Sequence, residues 1–367
     1  MKTSDDFRRD MGQAGPAFEA SVRRTLAQLQ SSEEEHPVKK LSTGLVIALS
    51  ILLIVTIAVA AAAQWGIFDF LSYRGSADRA LPAAQQLVQT KVPQQSGATE
   101  YAAFTLREAI YDGEKTYLVV AAAPMKENVL LVGPDTLPED PMIDLGPQFA
   151  GSTLCVADYA RQQGKDMLVS VNVADRAAMQ GLEGCVNSLD YILEADGSLV
   201  LMITGNRPSS GAELPIELSC YTTPLDEGAA APAPATLSFT LASAQNTASV
   251  SSKQSAIFAD CGVEVTSVTL TASPMNTYVR IEFTVTDRDA YAKTDDGLWF
   301  EFLDENGQRI PSGTDGGGSV EPTGSDGLSF VQKESLAAME PLPKTVTLRG
   351  YNCWEKNRYE THTFEME

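Results

Sequence analysis

Histidine is almost missing from this chain: His36 and His362 are the two among 367 residues. A Ser-His-Asp relay would have to run through one of them, and nothing in the sequence places a nucleophile beside either. No His-Glu-x-x-His occurs, so a zinc-protease helix is excluded. No Gly-x-Gly-x-x-Gly follows a strand pattern, and no Gly-x-x-x-x-Gly-Lys-Ser/Thr exists, so no phosphate-cradling loop is expected. Gly316-Gly317-Gly318 sits in a stretch from Gly313 to Gly327, rich in Gly, Ser and Asp, that reads as a flexible loop. Cys-x-x-Cys is absent, which disfavours a zinc ribbon or a redox pair. We therefore expect no catalytic residue, no cofactor and no metal ligand, and a protein that is not an enzyme.

Basic residues are also scarce, 27 Lys and Arg against 48 Asp and Glu, for a formal charge of −21. The deficit is local. Residues 1–43 carry seven of each sign, so the remainder carries 20 basic against 41 acidic residues. A body so acidic repels phosphate backbones, and nucleic acid is excluded as a partner. Cysteine is absent before position 155, and all five (Cys155, Cys185, Cys220, Cys261, Cys353) follow it. That asymmetry fits an oxidising compartment for the later part of the chain. Cys261 and Cys353 stand alone in the second half and are the best candidate disulfide. Cys155, Cys185 and Cys220 allow one bridge and leave one thiol over, and their spacing does not choose between them. Five buried thiols are the competing reading.

What is present in strength is one apolar run, Leu45 to Ala63, without charge, proline or glycine. About 20 such residues, at ~1.5 Å rise each, cross a hydrocarbon core of ~30 Å. A helix is the single segment that satisfies its own backbone there. The expected order is a cytoplasmic tail over 1–40, a transmembrane helix over 41–68 and a stalk over 69–100. A first extracytoplasmic β domain over 101–222, a Pro/Ala linker over 223–235 and a second β domain over 236–367 complete it. Lys39 and Lys40 precede the run. Trp65, Phe68, Phe70 and Tyr73 follow as an interfacial aromatic belt, with Arg74 and Arg79 beyond. The basic counts nearly tie, so the orientation, N-terminus inside, leans on the cysteines as well. A signal peptide is the rival, with Ala60 to Ala63 as its cleavage site. About 40 preceding residues and so long a core argue against it.

In the tail, Phe18, Val22, Leu26 and Leu29 fall on one face of a short helix from Pro16 to Gln30, a candidate partner-binding surface. So short a helix is marginal alone, and a fraying or interfacial helix competes with that reading. Beyond the membrane run the pattern is short strands between turn signals. Asp112-Gly113-Glu114-Lys115 joins Phe104–Tyr111 to Thr116–Ala122. A strand is expected over Thr153–Tyr159, and a short helix near Asp175–Leu182. Val263 to Ala272 nearly alternates, with a slip at Ser267 that predicts a bulge. Val279, Ile281, Phe283 and Val285 alternate cleanly. Two antiparallel, immunoglobulin-like β-sandwiches are the expected fold. Asp287, Asp289, Asp295 and Asp296 raise calcium but lack its loop spacing and read as a solvated loop. Trp299 and Trp354 read as core or barrel-edge packing.

The tail FEASVRRTLAQL, the start LSTGLVIALS, the exit WGIFDFL, and the strand sets FTLREAIYDGEKTYLVV and VEVTSVTLTASPMNTYVRIEFTV together resemble a family. It comprises single-pass membrane proteins of Gram-positive bacteria, mostly of unknown function and described as anti-sigma-factor-like. The resemblance implies extracytoplasmic immunoglobulin-like domains coupled to a cytoplasmic tail, with a sigma factor as the tail's partner. The His/Cys zinc motif common in anti-sigma factors is absent, since the tail has His36 and no cysteine. The resulting expectation is a non-enzymatic surface protein that binds or senses an extracytoplasmic ligand. The alternatives are an envelope enzyme using paired carboxylates and a passive structural spacer.

Overall fold

A computed structural model describes residues 65–90, 92, 96–180, 187–207, 213–226, 230–243, 248–295, 297–304 and 306–367. Ala61–Glu367 form one compact unit. The tail helix with Phe18, Val22, Leu26 and Leu29, and the membrane run up to residue 64, lie outside the described residues. Among the described residues no helix is long and apolar enough to cross a membrane.

The chain enters as α1, Ile67–Tyr73, followed by 3-10 turns at Ala77–Arg79 and Pro82–Leu87. Then come β1 (Ser96–Ala98), β2 (Ala102–Tyr111), β3 (Lys115–Pro124) and β4 (Val129–Val132). α2 (Val156–Gln162), β5 (Met167–Asp175), α3 (Arg176–Met179), β6 (Asn187–Leu193) and β7 (Leu199–Asn206) follow. β8 (Glu213–Pro224) and β9 (Ala235–Ala242) complete the first β domain. One sheet runs β1-β2-β3-β7-β6 and the other β4-β5-β8-β9. Both contribute to one core, with Phe104, Leu118 and Leu201 from the first and Val169, Leu218 and Leu237 from the second.

Three expectations change here. β4 and β5 pair in parallel, so the sandwich is not purely antiparallel. A parallel pair needs a long crossover, and α2 lies within it, where a strand over Thr153–Tyr159 was expected. The 223–235 segment is not an interdomain linker. β8 and β9 pair antiparallel across it, from Cys220 opposite Ala235 to Glu213 opposite Ala242. Ala235, Leu237, Phe239 and Leu241 face the first core, so Thr236–Ala242 belongs to the first domain and not the second.

The third change concerns the stalk. β3 and β7 are apolar on both faces. Leu118, Val120, Leu201 and Ile203 enter the main core, while Tyr117, Val119, Val200 and Met202 enter a separate one. That second core is completed by Ile67 from the end of the expected membrane span, by Phe70, Leu71 and Ala84 from the supposed stalk and by Met275 from the second domain. Burying Ile67, Phe70 and Leu71 contributes roughly 5–8 kcal/mol of gross apolar stabilisation. Residues 67–88 are thus a cover over the outer face of a sheet, and Phe70 is core rather than belt.

The second β domain contains β10 (Ala248–Ser252), β11 (Ala256–Phe258), β12 (Val263–Ala272), β13 (Asn276–Val285) and α4 (Arg288–Ala292). β14 (Leu298–Leu303), β15 (Gly318–Pro322), β16 (Ser329–Ala337), β17 (Thr345–Asn352) and β18 (Arg358–Glu365) follow. One sheet runs β10-β12-β13-β16-β15, with β11 also on β12, and the other β14-β17-β18. Val265, Leu270, Ile281 and Phe283 meet Phe300, Phe302, Leu348 and Phe364 across the core. The register of β12 on β13 shifts between Val265 and Ser267, where the hydrophobic alternation slips. β15 lies inside the glycine-rich stretch read as loop. Its residues pair with Phe330–Glu334 and so gain backbone partners that propensity does not foretell. Trp354 is not core: it is 69% exposed, in the turn between β17 and β18.

Candidate functional site

Two places gather chemistry. The first is a groove of about 730 Å³ on the first domain, lined among others by Asp175, Arg176, Arg207, Glu217, Ser238 and Thr240. β5 ends at Asp175, whose Oδ1 accepts the Ala177 N–H at 3.0 Å and caps α3. Arg207, just past β7, meets Asp175 at 3.3 Å and donates to the Pro215 carbonyl at 3.2 Å. Burial pushes the Asp175 carboxyl up, and its bond from Ala177 and the Arg207 charge pull it back. Arg176 pairs with Glu217 on the groove wall. The alternation of β8 and β9 turns Ile216 and Phe239 inward and leaves Glu217, Ser238 and Thr240 toward solvent. The result is a polar surface of paired charges and hydroxyls, suited to hydrogen bonding with a ligand. Its two carboxylates are each committed to an arginine.

The second place is the joint between the two β domains. The β2–β3 turn brings Asp112, fully buried, against the β12–β13 turn. Asp112 Oδ1 accepts from the N–H groups of Glu114 and Lys115 at 3.2 and 2.9 Å. Its Oδ2 accepts from Ser273 Oγ at 2.8 Å and Tyr278 Oη at 2.5 Å. Burial raises the Asp112 carboxyl above its usual range, against the pull of those four bonds. Beside it, Asn276 Nδ2 donates to Tyr117 Oη at 2.7 Å, and Asn276 Oδ1 accepts from Thr314 N at 2.8 Å and Thr314 Oγ1 at 3.1 Å. Lys115 Nζ reaches Asp315 at 2.6 Å and Ser335 at 3.2 Å. Burial pushes the Tyr117 and Tyr278 phenols well above their ordinary range, so both remain protonated. Backbone bonds from Leu81 to Pro274 (2.8 Å) and from Ala338 to Arg79 (2.7 Å) tie the cover segment to the second domain. This network is architectural: it holds the domains in one arrangement and leaves no reacting atom exposed.

The residues singled out from the sequence fare unevenly. Cys261 and Cys353 do not form the expected disulfide. Cys261 is a buried thiol whose Sγ lies against the Phe258 carbonyl at 3.7 Å, and Cys353 is exposed beyond β17. Burial raises the Cys261 thiol to about 12, as befits an inert core sulfur. Cys155 and Cys220 are also free, and Cys185 lies outside the described residues. Asp287 caps α4, accepting from Asp289 N and Ala290 N. Among the described residues no group of carboxylates, histidines and cysteines is arranged to hold a metal. His362 packs its ring against Phe258 at 4.6 Å, and its buried Nε2 has no hydrogen-bond partner.

No family model matches the chain. No curated protein matches it either. Among solved structures, a conserved domain protein from Bacillus anthracis aligns at 12% identity and TM-score 0.45, covering 78% of this chain and 94% of that one. The eight N-terminal immunoglobulin domains of Down Syndrome Cell Adhesion Molecule align at 9% identity and TM-score 0.15, over 73% of this chain and 37% of that one. Neither score reaches the level of a shared fold.

Proposed function

We propose that this chain is a non-enzymatic, single-pass cell-envelope protein whose β domains bind or sense an extracytoplasmic ligand and report through the N-terminal tail. The observation that carries the reading is the continuity between the apolar run and the body. Residues 67–88, directly after that run, are core of the first domain and are bonded to the second. A load on either domain therefore reaches the chain at Trp65 without a slack tether. The polar groove is the surface offered to a ligand. In the same reading the second domain is immunoglobulin-like, and a sigma factor is the tail partner that the family resemblance implies. The envelope-enzyme reading is disfavoured because Asp175 and Glu217, the carboxylates of the groove, are both held in arginine pairs.

Two measurements test this. In intact cells a membrane-impermeant maleimide is expected to label Cys353, and Cys353→Ser to lose the label added there. Labelling of Cys353 only after lysis would place the body on the inner side. Residues 1–43, used as bait in a cell lysate, are expected to retain a sigma factor, and Leu26→Glu to release it. Recovery of no specific protein would remove the signalling half of the reading.

A further inference from the structure

The chain does not leave the body loosely; it is clamped at the exit. Trp65 N–H donates to Glu194 Oε1 at 3.1 Å, and Ile67 N–H to Glu108 Oε2 at 2.8 Å. Gly66 N–H donates to Asp69 at 2.8 Å. Glu194 is itself fixed by two bonds of 2.8 Å from Arg107. A register shift in β2 between Leu106 and Glu108 explains why both Arg107 and Glu108 serve this end of the sheet. A Cβ on residue 66 would come within 2.6 Å of the Glu108 carboxylate, so glycine permits the close approach. These bonds tie residues 65–67 to β2 and to Glu194 just past β6.

α1 then divides its side chains. Ile67, Phe70 and Leu71 are buried in the body, while Phe68 is half-buried and Tyr73 is 53% exposed. Trp65 is half-buried, with its ring edge-on to Phe70 at 5.3 Å and to Tyr73 at 5.8 Å. The outward aromatics are therefore held in place. One residue, Gln64, separates Ala63, the end of the apolar run, from Trp65, and the two chain steps span at most about 7 Å when extended. Headgroup regions are of that thickness on each side of the hydrocarbon.

We infer that the face of the body carrying α1 rests on the bilayer surface, with Trp65, Phe68 and Tyr73 among the lipid headgroups. The inference rests on the membrane reading above and adds to it a partner surface and an orientation. Aromatic rings with one polar edge suit that layer. The contact is aromatic rather than electrostatic: Arg74 is paired with Asp190, and Asp69 and Asp78 are exposed beside it. It should hold equally on neutral and anionic lipid.

The test uses the full chain in nanodiscs of phosphatidylcholine, with and without one quarter phosphatidylglycerol, carrying p-benzoylphenylalanine in place of Tyr73. A second variant carries it in place of the exposed Ser72, in case the first perturbs α1. Irradiation is expected to give lipid adducts at these positions in both lipid mixtures, detected by mass spectrometry. A chain that floats with lipid but gives no adduct at either position overturns the inference and leaves the membrane reading standing. Adducts confined to the anionic mixture overturn the aromatic contact. A chain that does not float with lipid overturns both readings.

Discussion

Asn276→Ala should lower the stability of the folded chain by about 4 kcal/mol and loosen the joint between its β domains. The side chain is fully buried. Its Nδ2 donates to Tyr117 Oη and, at 3.2 Å, to Tyr278 Oη, and its Oδ1 receives both Thr314 N–H and Thr314 Oγ1. Alanine removes all four bonds. Each net bond is worth only ~1 kcal/mol, but buried groups left unsatisfied cost ~1–3 kcal/mol apiece. Thr314 is buried, so its N–H is left without its partner. Asn276→Asp should rank between the two, since its carboxylate keeps the acceptor and loses the donor, next to Asp112. Urea denaturation gives the magnitude. Hydrogen exchange gives the mechanism: the Thr314 and Leu81 amides should lose protection before the core of either domain. A loss under about 1 kcal/mol with both amides still protected would show that the network does not hold the domains together.

Much of the fold was legible from alternation alone. The strands over Val263–Ala272, Phe104–Tyr111 and Thr116–Ala122 and the bulge before Ser267 lie where the sequence pattern puts them. What alternation does not report is which sheet a strand joins. Thr236–Ala242 alternates whichever domain owns it, and the small Ala/Pro residues before it read equally as linker or as hairpin loop. Its assignment depends on pairing with β8, a long-range fact. The cover segment misled for a different reason. WGIFDFL continues an uncharged stretch, so its first residues read as membrane and its later ones as stalk. The contrary signal lay elsewhere, in TYLVVAAA and LVLMIT. Continuous apolar strands need both faces covered, and something had to supply the second cover.

The joint was hidden by its own composition. Asp112, Pro274-Met275-Asn276 and the Gly313–Asp315 stretch are turn formers, and turns are ordinarily solvated. Here three of them meet, and Asp112, Ser273, Asn276 and Thr314 are all buried. A polar turn that lies between domains has the same residues as one that faces water. Burial of Tyr117 beside Asp112-Gly113-Glu114-Lys115, an aromatic within two residues of a hairpin tip, is the one local hint. The groove left no mark either, because Arg207 and Glu217 are ordinary surface residues until α3 and β8 bring them to Asp175 and Arg176.

A second large effect is expected at Glu334. It lies on β16 opposite Gly318 of β15, and Trp299 packs over that glycine, 2.6 Å from where a Cβ would stand. Burial raises the Glu334 carboxyl from 4.5 to about 7, against the Arg309 charge and hydrogen bonds from Gln332 and Trp299 that lower it. The sign follows from linkage. The folded state holds a proton that the unfolded state releases, so this site stabilises fully below pH 4.5, and its contribution is lost as pH rises through about 7. The shift corresponds to a loss of about 3 kcal/mol across that window. Burial also raises Asp112, Glu114 and Asp175, and their contributions run in the same direction. The chain should therefore be more stable in mild acid than at pH 8. Glu334→Gln keeps an acceptor for Gln332 and Trp299 and removes the titration. Urea midpoints measured from pH 4 to pH 8 should fall less steeply in this variant, leaving it more stable than the parent at pH 8 by about 3 kcal/mol. Equal slopes in the two proteins would mean that Glu334 titrates alike in the folded and unfolded chain, and a parent that gains stability toward pH 8 would reverse the net direction assigned to these carboxyls.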